Sequence, residues 1–246
     1  MLSRAARAWV AVLVVLVLVH LVAQLAGAGV LEQVSQWTLM PALAAVVLTA
    51  TRWPRGHLVS WVLVALGFSW LGDLVPSLVG DGAAFLVMVG FFLLAQVAYV
   101  VAFAPAVRRS VVHRHPLLVL PYAAVLAALV AACAPGAGRL LVPVCVYGGM
   151  LTAMAILSTG LGRIAAVGGA VFLASDALIA LEQFVPAWDL AGQGFWVMLT
   201  YTVGQGLLAA AVVRRSAAER HAPQPRTAVR SNVQRPPVPD NVVALV

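Results

Sequence analysis

The chain has 246 residues, of which 63% are hydrophobic and only 9% are charged, whereas soluble domains carry about 25% charged residues. This composition excludes an ordinary soluble domain and is typical of a membrane protein. The net charge of +7 reflects 15 arginines and no lysine. Because the arginines fall between apolar runs and not on one solvated face, they do not indicate nucleic-acid binding.

Apolar segments follow one another along most of the chain. A spanning helix needs about 20 mainly apolar residues, sometimes as few as about 17. Eight segments meet or approach this length, at residues 8–27, 36–51, 58–78, 83–105, 116–134, 139–158, 164–182 and 194–213. The first is longer than the apolar region of a signal peptide, so we interpret it as a helix. The sequence predicts an all-α membrane domain over residues 1–215, with eight transmembrane helices.

The composition changes after residue 215. Residues 216–246 are rich in Pro, Arg and polar side chains, and such a segment cannot bury enough apolar surface to form a core. It is predicted to be a disordered tail.

The arginines also predict the orientation of the helices, because Arg and Lys are enriched in cytoplasmic loops. If the N-terminus is cytoplasmic, 14 of the 15 arginines lie inside and only Arg139 lies outside. The outside loops then contain Glu32, Asp81 and Asp189. We therefore expect a multi-pass protein of the cell membrane with both termini in the cytoplasm.

Two carboxyl side chains interrupt the apolar segments. Asp73 and Asp176 each lie about two-thirds of the way along a predicted helix. An Asp at the centre of a spanning helix costs about 2.5–3.5 kcal/mol, and such residues usually face the interior of the bundle. Both helices run from inside to outside, so the two side chains lie at similar depth. We expect them to face one cavity.

Other polar side chains occur within the predicted helices. Some lie four residues apart on one helical face, as Ser69 does from Asp73. Singly, each is typical of a hydrogen bond between helices, but around two buried acids they predict the lining of one pocket. The predicted substrate-binding residues are Ser69, Gln96, Tyr99, Tyr147, Ser175, Tyr201 and Gln205.

Several chemistries lack their residues. The five histidines do not cluster as ligands of a catalytic zinc would, and neither a G-x-S-x-G elbow nor a Walker or Rossmann glycine pattern occurs. We predict no metal and no cofactor. His20 and Gln24, four residues apart, are predicted to form hydrogen bonds between helices.

Five motifs resemble those of a known family. They are "SWLGD" ending at Asp73, "FFLLAQVAYVVAF", "VYGGMLTAMA", "GGAVFLASDALIAL" around Asp176, and "YTVGQGLL". In this order they resemble the YhhN-like integral membrane proteins, over residues 36–213. The sequence departs from the family pattern at two positions. Many members have His where this chain has Gln96, and many have Lys where Met40 precedes Pro41. Gln can donate a hydrogen bond but cannot titrate, so substrate recognition is the property most affected.

The resemblance implies a lysoplasmalogenase, which hydrolyses the vinyl ether bond of a lysophospholipid taken from the bilayer. The products are a fatty aldehyde and a glycerophospho-base. The reaction needs one acid to protonate a carbon and one carboxylate to stabilise the resulting cation and accept a proton from water. Asp73 and Asp176 are the predicted catalytic pair, with either residue in either role.

Two other interpretations remain open at this stage. The aspartates could move protons in a transporter, or could be neutral and hydrogen-bonded between helices. A transporter would typically show an inverted repeat with broken helices. Glycine-rich helix faces are compatible with a homodimer as well as with internal packing.

Overall fold

The computed structural model describes residues 2–221, of which 89% are helical. No β-strand occurs in this part of the chain. The all-α prediction is confirmed.

Within residues 2–221, eight helices have 18 residues or more, and we number them in chain order. They are α1 Arg4–Leu25, α2 Gly29–Ala50, α3 His57–Leu74, α4 Asp81–Phe103, α5 Val119–Ala137, α6 Leu141–Ser158, α7 Arg163–Phe184 and α8 Gln193–His221. A one-turn helix, Val111–Arg114, lies between α4 and α5.

Six stretches of the described residues are long and apolar enough to cross a membrane. They are Arg4–Leu25, His57–Leu78, Gly82–Arg114, Pro116–Leu161, Arg163–Phe184 and Gln193–Arg220. The fourth has 46 residues and contains both α5 and α6. Large apolar side chains on the outside of the bundle are exposed, including Leu18 at 57% and Leu120 at 62%. The chain is a multi-pass membrane protein.

Two helices extend furthest beyond the apolar segments that predict them. Helix α2 begins at Gly29 and not near residue 36, because α1 satisfies its polar first turns: the Gln24 Nε2 donates to Glu32 Oε1 at 3.2 Å. Helix α8 continues to His221, and Arg215 pairs with Glu219 at 2.7 Å in its last turns. The start of the predicted disordered tail, residues 216–221, is therefore helical. Residues 222–246 lie outside the described part of the chain.

Helices α7 and α8 approach each other closely at two glycines. A Cβ added at Gly204 would lie 2.9 Å from the backbone nitrogen of Phe172 and 3.1 Å from the carbonyl oxygen of Gly168. Both contacts are with backbone, which cannot move aside as a side chain can. Small residues at such crossings let helix backbones pack closely, and here they bring α7 and α8 together near Asp176 and Tyr201.

An aromatic layer crosses the centre of the bundle. The Tyr201 ring packs edge-on against Phe92 and Phe172, with centroid distances of 5.7 and 5.6 Å, and Phe172 also packs against Tyr99 at 6.4 Å. Aromatic pairs in this geometry stabilise each other beyond simple area burial. The layer fixes the orientation of Tyr201.

Candidate active site

Asp73 and Asp176 line the same cavity, which has a volume of about 330 Å³. We call it the polar cavity. Each aspartate is 7% exposed. Six helices contribute the lining residues, which are Gln24, Gln36, Asp73, Phe85, Met88, Phe92, Asp176, Ile179, Glu182, Gln183, Gly194, Val197, Met198 and Tyr201. The prediction that the two acids face one cavity is confirmed.

The polar cavity opens where α7 ends and α8 begins. Glu182 and Gln183 line it there and are exposed. No Arg, Lys or His is among the lining residues, so neither buried carboxyl has a cation beside it in the described chain. Two ionised carboxylates in such a place are costly, which favours a state with one proton on the pair.

Two donors hold the Asp73 carboxyl near the C-terminal end of α3. The Tyr201 hydroxyl donates to Asp73 Oδ2 at 3.0 Å, and the Gln36 amide donates to Asp73 Oδ1 at 3.2 Å. Because each oxygen has its own donor, from α8 and from α2, the orientation of this carboxyl is fixed.

The Asp176 carboxyl has a different environment. The Tyr147 hydroxyl donates to Asp176 Oδ2 at 2.5 Å. Within residues 2–221 no donor reaches its other oxygen, and that oxygen is not sealed from the cavity. One oxygen of Asp176 is therefore available to a molecule in the site.

An apolar groove adjoins the polar cavity. Its volume is about 60 Å³, and helices α4 to α7 form it. The lining residues are Phe85, Leu86, Met88, Val89, Phe92, Leu129, Leu140, Pro143, Val144, Tyr147, Gly148, Leu151, Asp176, Ile179, Ala180 and Phe184. Leu86 and Pro143 are exposed on the side of the bundle. The groove therefore leads from the lipid-facing surface to Asp176.

Three of the predicted binding residues form a separate cluster. The Gln205 amide donates to Ser69 Oγ at 3.1 Å and accepts a hydrogen bond from the Tyr99 hydroxyl. All three side chains are fully buried, and none lines the polar cavity. We call these residues the closed cluster. Tyr99 also belongs to the aromatic layer, and the hydrogen bonds of the cluster join its three side chains to one another and not to a carboxyl.

The other predicted binding residues have varied positions. Tyr147 and Tyr201 contact the carboxyls, as described above. The Ser175 hydroxyl donates to the carbonyl oxygen of Val197 at 2.9 Å, a bond that joins α7 to α8. Gln96 is fully buried near Tyr147, and neither of its amide atoms completes a hydrogen bond within residues 2–221.

Sequence reasoning missed three glutamines of the cavity, Gln24, Gln36 and Gln183. Gln36 is the first residue of the predicted segment 36–51, whereas the helix begins at Gly29. The hydrogen bonds predicted for α1 are confirmed, and both go to α2. His20 Nδ1 lies 2.9 Å from Ser35 Oγ and 3.1 Å from the carbonyl oxygen of Glu32.

Among residues 2–221, no three His, Cys, Asp or Glu side chains lie close enough together to hold a metal ion. The site that the described residues do offer is a pair of carboxyls, two tyrosines and three amides. The arrangement suits proton transfer and stabilisation of a positive charge.

Fold and site together define a class: a helical multi-pass membrane protein with two carboxyls in one cavity beside an apolar groove. The model of the YhhN family matches residues 31–212, which include all of α3 to α7 and most of α2 and α8. The chain belongs to the YhhN family. Neither the curated proteins nor the solved structures include a match to it.

Proposed function

We propose that this protein is a lipid hydrolase of the lysoplasmalogenase type. It hydrolyses the vinyl ether bond of a lysolipid and releases a fatty aldehyde and a glycerophospho-base. One observation supports this proposal above the others. Two carboxyls share a cavity that opens to the polar surface at one end and adjoins an apolar groove on the lipid side.

The reaction uses both carboxyls. A protonated acid gives its proton to the β-carbon of the vinyl ether, which leaves an oxocarbenium ion. A carboxylate stabilises this cation and accepts a proton from the water that adds to it. The hemiacetal then collapses to aldehyde and alcohol. Asp73 and Asp176 are the catalytic pair, and the Tyr201 and Tyr147 hydroxyls position them.

The polar cavity suits the head of such a substrate. Its volume of about 330 Å³ falls within the range of about 300–1,000 Å³ common for ligand sites. The amides of Gln24, Gln36 and Gln183 line it and can hydrogen-bond glycerol and phosphate oxygens. The substrate comes from the bilayer. The closed cluster, Gln96 and Ser175 support the site from behind and do not contact the substrate.

The proposal includes eight transmembrane helices. Helix α2 crosses the membrane although it is not among the six long apolar stretches, because its Glu32, Ser35 and Gln36 side chains bond to α1 and α3. The arginine distribution supports the proposal that both termini are in the cytoplasm. Each chain contains a whole site, so a homodimer is compatible with the activity but is not required for it.

The test is aldehyde release by purified protein in mixed micelles. We expect aldehyde from a 1-alkenyl lysophospholipid and none from the matched 1-alkyl lipid, whose saturated ether cannot be protonated at carbon. A chelator should leave the rate unchanged. Absence of aldehyde would contradict the proposal, and solute uptake into proteoliposomes that depended on the two aspartates would replace it with a transporter.

A further inference from the structure

Asp176 occupies a position that Asp73 does not share. Both line the polar cavity, but only Asp176 also lines the apolar groove. Phe85, Met88, Phe92 and Ile179 form the wall common to both spaces. A molecule with one polar and one apolar end, lying in both spaces, would therefore have its junction beside Asp176.

We propose that the groove holds the first carbons of the substrate's hydrocarbon chain, that Asp176 donates the proton to the chain-side carbon, and that Asp73 activates water. The inference rests on the proposed vinyl ether hydrolysis. It assigns to each carboxyl a separate role, which the sequence leaves open.

The lining of the groove supports a hydrocarbon occupant. Apart from Tyr147 and Asp176 at the end shared with the cavity, every lining side chain is apolar or is glycine. A volume of about 60 Å³ accommodates the few carbons next to the reacting bond but not a whole lipid chain. The remaining carbons leave past the exposed Leu86 and Pro143 and lie against the bilayer.

The order of atoms in the substrate then determines the roles. In a vinyl ether the β-carbon is bonded to the chain and the α-carbon to the ether oxygen. With the chain in the groove, the β-carbon lies beside Asp176. The proton of the Asp176 carboxyl forms the new C–H bond as the double-bond electrons are drawn to that carbon, and the α-carbon becomes the oxocarbenium carbon.

The remaining steps occur on the cavity side. Asp73 accepts a proton from water as the water oxygen bonds to the α-carbon, giving the hemiacetal. Asp73 then returns that proton to the ether oxygen, the C–O bond breaks, and the hemiacetal hydroxyl proton goes to the Asp176 carboxylate. Aldehyde and alcohol leave, and both carboxyls return to their starting states. One water is consumed and no other reactant is needed.

The hydrogen bonds agree with this division. Asp73 receives donors on both oxygens, from Gln36 and Tyr201, and donated hydrogen bonds stabilise a carboxylate. Asp176 receives one donor, from Tyr147, and keeps its other oxygen accessible. That oxygen is the one available to deliver a proton to carbon.

Two alanines on α7 provide a matched test of the groove. Ala180 lines the groove, whereas Ala177, three residues earlier, lines a different apolar pocket with Pro121 and Tyr122. Both are half-buried. We expect Ala180→Trp to lower kcat/KM for a long-chain alkenyl lysolipid at least about tenfold, and to spare an ethenyl analogue with no carbon beyond the reacting bond. Ala177→Trp should spare both substrates.

Equal losses for the two variants, or equal losses of Ala180→Trp on both substrates, would overturn the assignment of the groove. The ethenyl analogue also reports whether Ala180→Trp still folds, because its hydrolysis needs both carboxyls in place.

Azide tests the two roles. Azide can add to an oxocarbenium ion without a general base. It should therefore raise the rate of vinyl ether consumption by Asp73→Asn at least about tenfold. This would recover a part of the factor of about 10²–10⁴ that proton transfer contributes. It should not restore Asp176→Asn, in which no cation forms. Rescue of Asp176→Asn, or of neither variant, would overturn the roles. Wild-type aldehyde release in the same assay shows separately whether the proposed function holds.

Discussion

The polar cavity and the closed cluster contain the same types of polar side chain. Each has a tyrosine hydroxyl and a glutamine amide bonded to a neighbouring helix, and α3 and α8 contribute to both. They differ in access. The closed cluster, Ser69, Tyr99 and Gln205, is fully buried, whereas the cavity side chains border a space of about 330 Å³ that opens to the surface.

This difference separates two uses of polarity inside a membrane. In the closed cluster every hydrogen bond ends on another side chain, so the polar groups hold α3, α4 and α8 together. In the polar cavity an oxygen of Asp176 remains without a donor in the described chain. The first arrangement stabilises the fold, and the second can act on a bound molecule.

The largest expected effect is at the two carboxyls. Asp73→Asn and Asp176→Asn keep size and polarity but remove proton transfer, so each should lower kcat for aldehyde release by about 10²–10⁴-fold. Both variants should insert and melt like wild type, as measured by thermal unfolding in detergent. Full activity in either variant would mean that its aspartate only joins helices.

The tyrosines of the two regions should also differ in their effect on kcat/KM, by less than the aspartates affect kcat. Tyr147→Phe and Tyr201→Phe each remove a hydrogen bond to a carboxyl that is charged during the reaction, worth about 1.5–3 kcal/mol, and should lower kcat/KM by about tenfold to a hundredfold. Tyr99→Phe makes the same chemical change in the closed cluster and should alter kcat/KM less than about twofold. If Tyr99→Phe matched the other two, access to the cavity would not be what separates the regions.

The glutamines of the two regions are expected to affect different properties, stability in the closed cluster and turnover in the polar cavity. Gln205→Leu leaves buried hydroxyls of the closed cluster without a partner, and we expect it to lower the free energy of unfolding by about 1–3 kcal/mol while the folded fraction keeps its turnover. Gln36→Leu removes a donor to Asp73. We expect its main effect to be a lower turnover number and not a lower free energy of unfolding. Chemical denaturation and single-turnover rates, measured on the same samples, would show whether the two effects separate this way.

The smallest effect is expected at Glu182. It lines the mouth of the polar cavity and is exposed, and substitutions at such positions usually change free energies by less than about 0.5 kcal/mol. Glu182→Gln should keep kcat within about twofold of wild type in the aldehyde assay. A loss comparable to that of Asp176→Asn would show that three carboxyls, and not two, take part in the reaction.

The sequence predicts the helices and the acids for one physical reason. Long apolar segments are required to cross a bilayer, and a carboxyl inside such a segment is expensive enough to stand out. Asp73 and Asp176 are therefore predicted as site residues from their positions alone. Tyr147 and Tyr201 are predicted to line the pocket for a similar reason, because they too are polar groups in apolar helices.

The rest of the site depends on distances between helices. Phe85, Met88 and Phe92 line both spaces, but an apolar residue in an apolar helix gives no sign of which neighbour it faces. Ser69 and Tyr99 look as promising in sequence as Tyr147, yet they bond to Gln205 and not to a carboxyl. Gln36 was missed because partners on α1 satisfy the polar start of α2, which the hydropathy of α2 alone does not show.

The central claim is that Asp73 and Asp176 act together on one substrate in one cavity. The most direct test is the double variant, Asp73→Asn with Asp176→Asn, measured for aldehyde release beside each single variant. Residues that work as a unit show strongly non-additive losses, so we expect the double variant to be about as slow as the slower single variant. If the two losses multiplied instead, the carboxyls would act independently, and a shared catalytic site would be contradicted.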